Sequence, residues 1–319
     1  AIARNKWAAK NGWGISLGCQ YQCTVSYRFR SGNDNGGLYW LCAAKERGPV
    51  CVVIHHRLSL SRLTSLSFYA YPLHMCGRYA QSADMRELME QFEVTGSAPG
   101  QSIPVNWNIA PTNPIYIVRS PIKEESETRK DLAIVSWGLI APWLSDIAEA
   151  KTSQSRAINA RSESVHEKPT FRDAFKQRRC LVPAQGYYEW ATALGQYKPK
   201  QAFYISSCDG AQLSIAGIWS SWRAPNGEVI ESASIITQEA QGELATIHSR
   251  MPVFMPRNRW DVWLDPENKE IADLRNLMQV QSPESIVKAH PVSSQVNSVA
   301  NNGAQLIEAI ELGEPETLF

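Results

Sequence analysis

The sequence predicts an α+β domain built mainly of antiparallel strands. With 44% hydrophobic and 20% charged residues in a chain of 319, there is apolar material for a full core. Five apolar runs beyond residue 75 have strand rather than helix length. Strands and helices do not alternate regularly, which argues against a doubly wound parallel sheet.

Residues 1–74 show no sustained helical or strand period. An alternation begins at 58–61 but Arg62 takes the next apolar slot. The segment holds nine Lys or Arg against two acidic residues, a formal +7, so the remainder carries −6 of the overall +1. All six methionines lie at or beyond Met75, which makes Met75 the expected ordinary start. Three readings of 1–74 follow: upstream sequence translated in frame, which is favoured, a removable pro-segment, or a basic arm that touches nucleic acid. Cys19 and Cys23 resemble half of a zinc site, yet no second pair follows at ligand spacing and His55 and His56 are adjacent, so no metal is expected.

Arg4, Lys6 and Lys10 are not followed by an apolar run of ~7 to 15 residues, so no secretory signal is expected. Residues 132–144 are too short to cross a membrane and contain Ser136 and Pro142. Seven cysteines, an odd number in a long chain, argue against a disulfide framework and for a reducing, cytoplasmic setting.

From Met75 the pattern is that of one globular domain, residues 75–319. Ser82 is the expected cap of a helix whose Met85, Leu88, Met89 and Phe92 share a face. A polar loop spans 96–104. Strands are expected at 115–118, 132–137, 203–205, 213–219 and 234–237, and helices at 146–150 (capped by Ser145), 257–264 and 271–278.

Cys76 stands out chemically. If removal of Met75 exposes it as the N-terminus, an α-amine of pKa ~7.7 to 8.0 sits beside a thiol of pKa ~8.5. Such a pair condenses with an aldehyde to an imine and closes a thiazolidine ring. An internal cysteine, its nitrogen tied up as an amide, does not. The plain alternative is a buried small hydrophobe. Glu189 lies among Tyr187, Tyr188 and Trp190, where desolvation would raise its pKa toward proton transfer, unless it only pairs with an arginine. His248 can exchange a proton near neutrality or be a structural histidine. Asn159 can orient an amine or cap a turn. Arg78, Arg161 and Arg250 suit phosphates, and Trp143 or Trp137 suit base stacking; singly, each also fits a surface ion pair or a core ring. Cys180 reads as core and Cys208 as a turn residue.

These segments, in this order, resemble the SRAP family, the SOS-response-associated peptidases regarded as abasic-site processing proteins. The resemblance rests on Met75-Cys76-Gly77-Arg78-Tyr79, Asn108-Ile109-Ala110-Pro111-Thr112, Trp137 through Trp143, Asn159-Ala160-Arg161, Cys180 through Trp190, Ala216 through Trp219, Thr237, and His248 through Pro252. It covers 75–319 and nothing upstream. It implies a single domain of barrel-like antiparallel sheets flanked by helices, and an abasic-site sensor in single-stranded DNA that crosslinks covalently through N-terminal Cys76. Carried over, Cys76 is the nucleophile, Asn159 positions its amine, Glu189 assists proton transfer, and His248 serves sugar ring opening and crosslink reversal. Arg78, Arg161 and Arg250 become phosphate contacts, Pro111 and Trp143 a wedge at the lesion, and Thr237 a part of the site wall.

The implied partner is single-stranded DNA containing abasic sites, bound by a monomer, with no membrane, no cofactor and no metal. The location would be cytoplasmic, at the nucleoid when DNA is bound. Two alternatives stand beside this: a cysteine peptidase in which His248 activates Cys76 to cut before it once in cis, and a non-covalent single-strand binder. Lyase or hydrolase activity would accompany the first two readings.

Overall fold

In a computed structural model the chain divides into two compact units, Ala1–Tyr71 and Pro72–Phe319. The structure describes residues 77–121, 129–192, 197–279 and 282–312, and the backbone alone of 25–26, 39–45 and 48–54.

The first unit holds three antiparallel strands, β1 (Val25–Ser26), β2 (Tyr39–Lys45) and β3 (Gly48–Ile54), with β2 and β3 paired from Tyr39↔Ile54 to Lys45↔Gly48. Tyr-Trp-Leu-Cys-Ala-Ala-Lys and Gly-Pro-Val-Cys-Val-Val-Ile are continuous apolar runs, so a search for polar alternation passes over them. The alternation at 58–61, Cys19, Cys23, His55 and His56 all lie outside the described residues.

The second unit is α+β. Five strands close into a ring: β6 (Pro114–Arg119), β7 (Asp131–Trp137), β9 (Arg179–Ala184), β12 (Leu213–Arg223) and β13 (Val229–Glu239), in the order β12-β9-β6-β7-β13 with β13 returning to β12. Ring closure leaves no open edge between these strands, and β9 is buried along its whole length. Pairing is antiparallel except between β7 and β13, and β13 also carries the short parallel strand β8 (Asn159–Arg161) and antiparallel β14 (Arg250–Pro252). The expected antiparallel barrel thus contains a parallel seam on β13. A second sheet runs β15 (Val287–Pro291), β11 (Ala202–Ser207), β10 (Gly186–Trp190), β4 (Arg78–Gln81) and β5 (Asn106–Ile109), all antiparallel.

Ile117, Leu181, Ile215, Ile218 and Ile235 from the ring join Trp137 and Trp263 in the main core, while Tyr188, Tyr204, Val292, Val296 and Leu306 form a smaller one on the second sheet. The Trp137-Gly138 turn needs its glycine: φ is +113° and a Cβ would collide with the Gln154 carbonyl.

All five expected strands are present, each extended by one or more residues. The helices need three corrections. Helix α1 (Met85–Gln91) is capped by Asp84 in a reciprocal box with Glu87, while the Ser82 hydroxyl donates to Gln185 instead. Helix α2 (Ile147–Arg156) is capped by Asp146, one residue after Ser145, and continues past 150. Its second half is polar, with only Ala150 and Gln154 buried, so no apolar period marks it. Residues 257–264 split into a 3₁₀ turn, Arg257–Arg259, and α5 (Trp260–Leu264). The unexpected helix α3 (Pro169–Gln177) starts with Pro at its first turn and buries Ala174 and Phe175. A one-turn helix α4 (Leu244–Ile247) precedes β14, and α6 (Ile271–Leu277) ends one residue before the expected bound, with Met278 as its C-cap. No described helix is long and apolar enough to cross a membrane.

Candidate active site

Strand β10 carries Glu189 between two partners: it pairs with Phe203 of β11, and its neighbour Tyr188 pairs with Arg78 at the start of β4. The pairing delivers the chain at Gly77 beside Glu189. Cys76, one residue upstream, lies outside the described residues.

His248 reaches the same point from the other sheet. It ends α4 in an extended conformation, its N–H donating to the Leu244 carbonyl at 3.0 Å. Just past β10, the Thr192 N–H donates to the Ile247 carbonyl at 3.0 Å, which ties the end of α4 to the end of that strand. These two backbone bonds bring His248 Nε2 to 3.9 Å from Glu189 Oε1, with the residues only 4% and 3% exposed. Two buried polar groups so placed are costly unless partnered, which marks the pair as a deliberate feature. On the other ring edge, the Arg250 N–H donates to His248 Nδ1 at 3.1 Å.

Asn159, half-buried, opens β8 opposite Ile235, and Thr237 of β13 lies between Arg161 and Pro252 in register. Thr237 is fully buried. Its carbonyl accepts from Arg250 Nη2 at 2.7 Å, and Arg250 grips Glu163 with both nitrogens, at 2.5 and 2.9 Å. Burial alone would raise the Glu163 carboxyl; the hydrogen bonds and charge of Arg250, with the charge of Arg161, hold it below its ordinary value. Arg161 itself is exposed.

Arg78 is half-buried and partly committed. It donates to Asn108 Oδ1 at 2.7 Å and to the Val296 and Asn297 carbonyls at 2.9 and 3.3 Å, and lies 5.9 Å from the Trp190 ring centre. Burial lowers its pKa. Of the two tryptophans considered for stacking, Trp137 is fully buried and bonded to the Ile158 carbonyl, which removes it, whereas Trp143 is 53% exposed. Pro111 is half-buried in the turn before β6, where the Thr112 N–H donates to the Trp137 carbonyl at 2.8 Å. This bond sets Pro111 near the end of β7, and Trp143 follows that strand in the chain. Cys180 is buried, its thiol pushed up by burial, and Cys208 is exposed in a bend.

The structure therefore joins Glu189 with His248, and Arg250 with Thr237 and Glu163, and links the two groups through the Arg250 backbone. No chemical role is expected from the sequence for Glu163, Asn297 or Asn108, the last of which only carries the family resemblance. Glu163 was visible two residues past Arg161 in the same segment; Asn297 acts through its backbone carbonyl on Arg78 and its side chain on Trp190, and no pattern marks that. Among the described residues no group of three His, Cys, Asp or Glu could hold a metal.

The model of the family described as SOS response associated peptidase (SRAP) matches residues 75–299. The chain belongs to this family. A Bacillus subtilis relative, abasic site processing protein YoqW, is 32% identical over 235 residues, covering 74% of this chain and 100% of the relative. The mouse abasic site processing protein HMCES is 29% identical over 236 residues, 65% of each chain. Two crystal structures share the fold. One, of a Bacteroides thetaiotaomicron protein, has a TM-score of 0.64 at 23% identity, covering 74% of this chain and all of that one. The other, from Bordetella bronchiseptica, has 0.57 at 25%, covering 68% and 100%.

Proposed function

We propose that this SRAP protein captures abasic sites in single-stranded DNA, forming a thiazolidine crosslink through Cys76. The observation that carries the reading is the buried Glu189–His248 pair, with Glu189 next to the strand position paired with Arg78 at the start of β4, in a chain whose relatives are named abasic site processing proteins.

In the reaction the sugar opens to its aldehyde. The Cys76 amine adds to that carbon and water leaves, giving the imine; the thiol then adds to the imine carbon, forming the C–S bond and returning a proton to nitrogen. Glu189 carries protons to and from the amine and the departing oxygen. Asn159 orients the amine, and His248 serves ring opening and reversal. Trp143 and Pro111 wedge the strand, Arg78, Arg161 and Arg250 hold its phosphates, and Thr237 walls the site. The domain is residues 75–319, and the chemistry requires that Cys76 carry a free amine, so the active form begins at Cys76 and lacks residues 1–75.

Intact mass tests this on protein expressed from the native gene, with and without single-stranded DNA bearing one abasic site. A chain beginning at Cys76 that gains the DNA mass less one water is the expected result. A chain that keeps residues 1–75 and forms no adduct overturns the reading. Release of residues 1–75 by the purified protein without any adduct would favour the peptidase reading instead.

A further inference from the structure

We infer that His248 acts as a neutral hydrogen-bond donor whose single proton sits on Nε2, and that the backbone amide of Arg250 is the positioning group that puts it there. The inference deepens the proposed function and rests on it for its catalytic meaning, though the tautomer itself does not.

A neutral imidazole has one donor and one acceptor nitrogen, and the hydrogen bond at one sets the role of the other. At His248 the Arg250 N–H points at Nδ1 over 3.1 Å. A backbone amide only donates, so Nδ1 accepts and the ring proton is on Nε2. A second ring proton would set N–H against N–H there. The chain has little freedom to relieve this: the His248 N–H is bonded to Leu244, the Ser249 carbonyl accepts from Ala240 at 3.0 Å, and the Arg250 side chain is clamped by Glu163 and Thr237. The ring is buried, so water does not compete for Nδ1.

The Nε2–H thus faces the Glu189 carboxylate across 3.9 Å, too long for a direct hydrogen bond and wide enough for a substrate oxygen to meet both groups. The two residues then divide the ring-opening step. The C1′ hydroxyl passes its proton to the Glu189 carboxylate, the C1′–O4′ bond breaks with its electron pair on O4′, and Glu189 returns the proton to O4′. The products are the aldehyde and a free hydroxyl at C4′. His248 donates its Nε2–H to O4′ as charge develops there and ends as it began, a preorganised donor and not a proton carrier. Because the residue whose amide fixes the ring is also the one proposed to hold a phosphate, strand binding and ring orientation share one residue.

Two measurements test this. In the 15N-labelled full chain, long-range 1H–15N correlation at neutral pH, with the His248 signals assigned by their loss in His248→Gln, should show Nδ1 unprotonated and Nε2 protonated. The opposite pattern overturns the inference whether or not the protein crosslinks DNA. In single-turnover crosslinking, His248→Ala should slow the reaction by about 10², and His248→Gln, whose amide can donate from nearly the same place, should recover most of that loss. Glutamine as slow as alanine would mean that a proton must be exchanged at this position, and would sink the donor role. Absence of any crosslink in the wild type would overturn the proposed function and leave the tautomer to the NMR result.

Discussion

The Glu189–His248 pair and the exposed residues Trp143 and Arg161 are assigned to the same proposed site and are built in opposite ways. At the centre, both residues are under 5% exposed and their spacing is set by backbone hydrogen bonds from Thr192 and to Leu244. At the rim, Trp143 is 53% exposed and Arg161 ends a three-residue strand with its side chain toward solvent. A centre so enclosed can hold two polar groups at a fixed distance, because packing and backbone together leave few alternative rotamers. A rim so open can adapt to a flexible strand. The difference teaches that reaction rate and binding should separate cleanly between the two regions.

The largest effect should come at Cys76. Cys76→Ala should abolish the covalent adduct on denaturing gels while leaving single-strand affinity within a few-fold, because the thiazolidine ring needs a free amine and a thiol on adjacent carbons of one residue. An adduct that persists in Cys76→Ala breaks the assignment outright. Glu189→Gln comes next. It keeps shape and burial but removes the proton acceptor, so the crosslinking rate should fall by about 10² or more with little change in DNA affinity. A loss confined to affinity would merge the centre with the rim.

How much of this was legible beforehand differs between the same two regions. The strands of the ring announce themselves as apolar runs at 115–118, 132–137, 213–219 and 234–237; in β6, β12 and β13 burial on both faces demands such runs. The parallel seam at β7–β13 did not, because direction of pairing leaves no local mark on either strand. Helix caps slipped by one or two residues where Ser82 and Ser145 competed with Asp84 and Asp146: serine and aspartate are near-equal caps, and the choice falls to the residue whose carboxylate reaches the third amide. The proposed site residues stand in ordered motifs, yet spacing does not separate their roles. That Arg250 is engaged with Glu163, that Arg78 is partly committed to Asn108 and two carbonyls, and that Trp137 is core are facts of tertiary contact.

The rim gives smaller, purely binding effects. Trp143→Ala removes a ring already half in solvent, so the melting temperature should hardly move, while affinity for abasic single strands should fall by ~1–3 kcal/mol, the usual worth of one base–aromatic stack. An equal fall in crosslinking rate at saturating DNA would place Trp143 in the centre after all.

The smallest effect sharpens the comparison inside the rim itself. Each phosphate contact on single-stranded DNA contributes about 0.7 to the slope of log affinity against log salt. Arg161 is exposed, so Arg161→Ala should lower the slope by about that amount, uniformly across sequences. Arg250 starts from a different state, because its outward nitrogens are already filled by the Glu163 carboxylate. To reach a phosphate it must trade one anion for another, so the net charge it contributes to the strand depends on whether Glu163 swings away. Its side chain, 52% exposed, can do so. Glu163→Gln should therefore raise affinity by a few-fold and steepen the slope toward one further contact. If affinity instead falls with an unchanged slope, Glu163 orients Arg250 rather than competing with DNA, and Arg250 belongs with the rigid centre that holds His248.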